Sequence, residues 1–413
     1  MSEGSEFGNA IKGLYNKLCR EEWDAMTTGM LIAFLSVIML AWARPWGAVG
    51  AIRNWGEWIL YGIGMLEDSP ANWLQHSGSV IGVGFVAGAF LSANLGGDFA
   101  LRIPPALEMI KAVVAGVFMG IGAALAGGCN VGGFYNAIGN LSAHGFAMMF
   151  GLIIGAIIGL KYIYWEMENI SWGSGGAKTI EFPGAVQAAF ALAAIAGLVW
   201  LAGSYGDEGM HVGMDRDDLI ATSSGMLLIA AGLGYAMQRG RWCMIQGFRE
   251  PHMTGDCKMA KSVALSIFLL AVGIAVIKFT GLRDPMHYVR GTFGWGGFVG
   301  GIVFAFGAML AGGCGTGTLW RVGEGQIKLW IVVPFFGITN ALVSSYFDSM
   351  DFEGKEAWME EGVTNASKLG SYVYMPDTFL GYGGSLALVG LAMALWYVVA
   401  TWNQESNKLV VEM

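Results

Sequence analysis

Residues 112–160 read AVVAGVFMGIGAALAGGCNVGGFYNAIGNLSAHGFAMMFGLIIGAIIGL, 49 positions without one Asp, Glu, Lys or Arg. A helix crossing the hydrocarbon needs about 20 apolar residues, so this run is too long for one crossing and barely long enough for two. The connection between the crossings, AGGCNVGGFYNAIGN, must therefore lie at membrane depth. Irregular backbone survives there only when it is buried in protein or lines a cavity, because lipid offers its N–H and C=O groups no partner. The same words recur 185 residues later as AGGCGTG at 311–317, within Gly291–Trp320.

Seven further runs resemble membrane crossings: Ala25–Ala43, Gly78–Gly97, Phe182–Gly206, Leu219–Gln238, Ser262–Ile277, Leu329–Phe347 and Thr378–Trp402. The composition agrees, with 55% hydrophobic residues and 13% charged ones against about 25% in soluble domains. The chain reads as an all-α polytopic membrane protein of about nine or ten segments, with two Cys-containing re-entrant or broken-helix loops. Ala41-Trp42-Ala43 is only a faint cleavage signal, and the charged segment before it makes the first run a retained helix.

Lys12, Lys17 and Arg20, and the loop at 239–261 with Arg239, Arg241, Arg249, Lys258 and Lys261, place those segments in the cytoplasm by the positive-inside rule. The acidic loops at 203–218 and 346–378 fall outside, while Arg283 and Arg290 fit the scheme poorly. Counted this way, the helix entering Cys129 runs outward and the one entering Cys314 runs inward, so the two motifs form an inverted internal repeat. Such repeats bring half-helix N-termini together near the midplane, where they face anions. Phe134–Leu141 and Leu319–Gly325 are the expected half-helices. The organisation is then a cytoplasmic segment 1–24, a first membrane half 25–202, a second half 203–402 and a cytoplasmic tail 403–413.

The net charge of −8 and the lack of a basic, aromatic-interleaved stripe exclude nucleic acid as a partner. The five cysteines (Cys19, Cys129, Cys243, Cys257, Cys314) form no C-x-x-C pair or zinc pattern, and no H-E-x-x-H, Walker A or G-x-S-x-G occurs, so neither metal nor cofactor is expected. GCGTG lacks the strand of a phosphate loop. A buried cysteine is often a small hydrophobe, yet packing alone would not demand the same Gly-Gly context twice. Gly151, Gly155 and Gly159, with Gly296, Gly297, Gly300 and Gly301, suit close helix packing. Arg239 and Arg241 precede Cys243, where they anchor the membrane face and favour a thiolate. Cys257 and Cys19 have no motif around them.

With ARPWGAVGAIRNWGEW at 43–58, AGGCNVGG, QRGRWCMIQGFRE at 238–250 and AGGCGTGTLW in view, the chain resembles the YeeE/YedE family of sulfur-transport membrane proteins. The resemblance implies uptake of thiosulfate or a related small sulfur oxyanion across the inner membrane of a bacterium or archaeon, a selenium compound being the family's other branch. It implies a relay through S–H hydrogen bonds at Cys129, Cys243 and Cys314, and a cytoplasmic sulfur-carrier or rhodanese-like protein as receiver. Gly128, Gly132, Gly313 and Gly315 frame the thiols, and Asn130, Thr316, Thr318 and Arg241 are candidate donors. Family members often carry His four residues after the motif cysteine, where this chain has Gly133 and Thr318. The rival expectation is a membrane thiol enzyme in which Cys129 and Cys314 exchange disulfide or persulfide.

Overall fold

In lipid each apolar run must close its own backbone hydrogen bonds, and all of these runs do so as helices. The computed structural model describes residues 3–170, 176–205, 217–350 and 366–411. Residues 351–365 of the acidic loop at 346–378, and Asp207, Glu208 and Asp215 of the other acidic loop, lie outside the described residues. Among those described, nine helical stretches are long and apolar enough to cross a bilayer, and the helix ending at Arg239 adds 23 residues more.

The chain opens with α1 (Glu3–Tyr15), after which Asp24 caps α2 (Ala25–Trp42) by accepting from the N–H groups of Met26 and Thr27 at 2.9 and 3.1 Å. Then come α3 (Val49–Gly62) and α4 (Ser77–Gly96), the latter stopped by Gly97 at φ 81°. Strand β1 (Ala100–Ile103) leads to α5 (Ala106–Leu125), a break, a wide π-helical segment (Asn130–Tyr135) and α6 (Asn136–Gly139). Next are α7 (His144–Asn169), β2 (Lys178–Glu181), which pairs antiparallel with β1, and α8 (Gly184–Ser204). The second half carries α9 (Asp217–Arg239), α10 (Met244–Met253), α11 (Lys258–Phe279), α12 (Trp295–Ala311), a second break, α13 (Gly315–Gly323) and α14 (Ile327–Ser349). A small β3–β4 hairpin (Ala366–Ser367, Gly370–Ser371) and α15 (Gly381–Ser406) complete it.

Glycines record how the helices lie. A Cβ on Gly300 would sit 2.6 Å from Ala126 N, and one on Gly307 2.8 Å from Met119 N, so α5 and α12 run antiparallel with backbones in contact. Their partners repeat the relation. Gly151 and Gly155 of α7 lie against Phe298 and Ile302 of α12, while Gly116 and Gly120 of α5 lie against Val332 and Phe336 of α14, both pairs running parallel. α4 packs on α9 and α2 on α11 in the same reciprocal way, each helix finding its partner in the other half. The inverted repeat is thus visible in the packing, and of the expected glycine seams that of α7 closes on α12 at Gly301, while Gly300 of α12 turns to α5.

Candidate functional site

The two breaks share one backbone. Gly127 and Gly312 take φ of 72° and 79°, the left-handed C′ conformation that favours glycine. The next amides, of Gly128 and Gly313, donate back to Ala123 O and Ala308 O at 2.8 and 3.2 Å. Cys129 and Cys314 then adopt the same extended conformation, φ −74° and ψ −178°, and each carbonyl accepts a 2.6 Å bond four residues on, from Gly133 and Thr318. The second glycine is required by space in the first loop and fits a tight neighbour in the second. A Cβ on Gly128 would fall 2.7 Å from Gly133 N, and one on Gly313 would fall 3.0 Å from an Arg321 nitrogen. The Gly-Gly-Cys spelling therefore follows from one turn that needs a positive φ, then no side chain, then an N-cap.

The helical turns begin at Asn130 and Gly315, four residues earlier than the expected Phe134 and Leu319. Each cysteine stands at the N-cap position of the new helix, and Cys314 also accepts a helix amide there, so the irregular backbone is confined to a few residues. That economy suits a low-dielectric interior, where every unpaired amide is costly.

Three thiols gather where the two loops meet the start of α10. On one side of Cys129 is a cavity of about 200 Å³ whose lining includes Arg44, Gly47, Arg53, Gly132, Tyr288 and Arg290. Arg53 is paired with Glu57 at 2.8 Å, whereas Arg44 and Arg290 have no carboxylate within ion-pair reach among the described residues. Tyr288 sits at φ 70°, a strained conformation for an aromatic residue. Burial lifts its phenol above the ordinary range against the pull of Arg290 and Arg44, keeping a neutral hydroxyl donor beside Gly132.

On the far side, Cys129 abuts the second loop: a Cβ on Gly315 would lie 3.1 Å from its sulfur. Cys314 Sγ accepts the Gly317 amide at 3.3 Å and contacts Thr316 Oγ1 at 3.5 Å. It also meets Cys243 Sγ at 3.5 Å, a non-bonded contact against about 2.05 Å for a disulfide. All three thiols are free and buried. Asn130 and Thr318 are fully buried too; the Thr318 hydroxyl has no partner among the described residues, and the Asn130 amide has none but the Cys314 sulfur it faces. Unpaired buried polar atoms are costly, and they mark places where another molecule supplies the bond.

The arginines near Cys243 divide otherwise than the sequence suggests. Arg239 is spent on Asp98 (2.7 Å) and Ser92 O. Arg241, held at φ 49°, pairs with Glu324 at 2.7 Å and stands over Trp320. The guanidinium that reaches Cys243 is that of Arg321, at 3.8 Å. Its signal was available, since seven residues are two helical turns and return a side chain to the face of Cys314. Arg44, Tyr288 and Arg290 were missed as well; the only trace was that Arg290 violated the charge rule. Cys257 packs against Ala400 near Asn403, and Cys19 meets Tyr235, both away from this cluster.

Two antiparallel broken helices meeting between packed repeats, with a cavity beside the first break, are the architecture of an inverted-repeat membrane transporter. Residues 6–158 and 239–412 match the sulphur transport family model, and the chain belongs to that family. It is a transporter and not an enzyme. The probable transporter YedE of Escherichia coli is 27% identical over 379 residues, covering 87% of each chain. The thiosulfate transporter TsuA of E. coli is 38% identical over 120 residues, 29% of this chain and 33% of that one. That of Spirochaeta thermophila is 32% identical over 116 residues, 27% and 33% of the two chains.

Proposed function

We propose that the chain carries thiosulfate, or a closely related small sulfur oxyanion, into the cytoplasm by handing it along Cys129, Cys314 and Cys243. The observation that carries this reading is the line of three free thiols from three separate segments, running from the arginine-lined cavity to Arg321. The TsuA relatives are named as thiosulfate transporters, which supports the substrate class. The basic loops support an inward direction: with 1–24 and 239–261 in the cytoplasm by the positive-inside rule, the cavity would open outward and Arg321 would face inward.

The chemistry suits release as well as capture. A thiol is a weak S–H donor, and a soft terminal sulfur is a weak acceptor, so each station holds its passenger lightly. Conduction needs sites that bind and then let go, which a row of bare cations would not do for a dianion. Cationic residues instead stand at the ends: Arg44 and Arg290 collect the anion, Tyr288 and Gly132 offer donors at the first thiol, and Asn130, Thr316 and Thr318 offer donors between. Substrate consumption by a cytoplasmic sulfur-carrier or rhodanese-like protein would keep the flow inward. Uptake of labelled thiosulfate into reconstituted vesicles tests the relay. Cys129→Ala, Cys243→Ala and Cys314→Ala are each expected to cut it strongly, and undiminished uptake in all three would overturn it. Competition by sulfite and selenite ranks the passengers.

A further inference from the structure

We propose that Arg321 binds the oxygen end of the passenger while Cys243 and Cys314 hold its sulfur end, so that the inner station selects anions with unlike ends. The inference rests on the thiol relay and adds a specificity-determining residue to it.

Arg321 has no carboxylate within ion-pair reach among the described residues, whereas Arg102 and Arg241 share Glu324, and Arg239 has Asp98. Its guanidinium lies over the Trp320 ring, 4.2 Å from the centroid, while one nitrogen donates to Gly317 O at 3.2 Å and stands 3.8 Å from Cys243 Sγ. A guanidinium has five donors, so most of this one remains free. The site is also shaped for it. A Cβ on either Gly313 or Gly317 would approach the same nitrogen to 3.0 Å, so the glycines flanking Cys314 leave the room that the guanidinium fills.

The two kinds of group have different tastes. A planar, weakly hydrated guanidinium takes two oxygens of an oxyanion at once. Thiols 3.5 Å apart offer polarisable sulfur and weak donors, which suit a terminal sulfur better than a hard oxygen. An anion with sulfur at one end and oxygens at the other satisfies both, whereas sulfate presents oxygen to the thiols whichever way it turns. A single guanidinium, already partly engaged by Gly317 O and Trp320, is also weak enough to release a dianion.

The test uses the full chain in detergent and in vesicles. Two methanethiosulfonate reagents of similar size, one bearing a sulfonate and one neutral, are reacted with the protein, and modification of Cys243 is read by mass spectrometry of its peptide. Arg321→Met is expected to lower the sulfonate-to-neutral rate ratio by about tenfold, the loss of one charge-assisted contact. It should raise the KM for thiosulfate uptake and weaken the discrimination against sulfate in competition. Arg321→Lys keeps the charge without the fork, so it should restore the ratio but not the discrimination; it also serves if Arg321→Met fails to fold. An unchanged ratio and unchanged KM in folded Arg321→Met would overturn the proposal, as would full sulfate discrimination in Arg321→Lys. If the wild type takes up no thiosulfate, the relay reading fails, while the reagent ratio still decides whether Arg321 serves an anion beside Cys243.

Discussion

Gly317→Ala puts a methyl group into the inner station without removing any group that could bind. The new Cβ would lie 2.7 Å from Cys243 Sγ, 3.0 Å from Arg321 and 3.2 Å from Cys314 Sγ. Carbon contacts settle at about 3.5–4.0 Å, so the Cys243 sulfur must retreat by roughly 1 Å. Overpacking of this kind costs about 1–3 kcal/mol. At 1.4 kcal/mol per tenfold, the arrangement with both thiols and the guanidinium in place falls by a factor of about 5–150. Stability should fall by no more than about 2.5 kcal/mol, because Gly317 is helical and Gly→Ala in a helix returns about 0.5–1 kcal/mol of the overpacking cost. The signature is thus labelled thiosulfate uptake reduced at least about fivefold with a melting temperature within a few degrees of wild type. Wild-type uptake by a folded Gly317→Ala protein would refute the idea that the passenger crosses between these two sulfurs.

Glu324 is almost wholly buried and holds Arg102 at 3.0 Å and Arg241 at 2.7 Å, each of them more than a third exposed. Glu324→Gln should cost about 1–2 kcal/mol in denaturant unfolding, less than the ~3–5 of a fully buried pair because both arginines can turn to water. It also frees two cations at the exit, so KM and maximal uptake should fall together; a rise in KM would count against that placement. His287, in the loop before α12, has its pKa pulled down from 6.5 to about 4, chiefly by burial and further by Lys278, Arg44, Arg283 and Arg290. The unfolded chain then takes up a proton at higher pH than the folded one, so stability is full above about 6.5 and is lost as pH falls towards 4. Melting curves from pH 7.5 to 4.5 should show this slope, and His287→Asn should flatten it; an equal slope in the variant would assign it elsewhere.

The span pattern was readable because lipid demands long uncharged runs, and the re-entrant loop because 49 such residues cannot hide a loop in water. Even the inversion could be counted from loop charges, and the contacts of Gly300 with Ala126 and Gly307 with Met119 bear it out. The starts of the half-helices were misplaced because glycines read as loop formers, while Gly132, Gly133, Gly315 and Gly317 sit inside helical turns at tertiary contacts. The site was legible only where it is local. Cys129 and Cys314 announce themselves by their glycines, but the cavity joins Arg44 to Arg290 across more than half of the chain, and nothing near either residue says so. Arg241 drew attention by its closeness to Cys243 in sequence; a left-handed backbone at that residue and the pull of Glu324 turn its guanidinium to another partner.

Trp46 and Trp242 are both fully buried, both donate their indole N–H to a serine, and both meet the Tyr135 ring edge-on from their own half. The residue after Trp242 is Cys243; the residue after Trp46 is Gly47, which lines the cavity. Where one half places a third sulfur, the other leaves room. A scaffold whose two halves share their hinge geometry has no built-in arrow, since its backbone looks alike from either face. On the proposed relay the arrow would reside in what differs between the copies: a roomy cavity beside Cys129 at one end, a close-fitting thiol pair beside Arg321 at the other. Exchanging Gly47 and Cys243 between the halves would then ask whether polarity in such a protein can be edited two residues at a time.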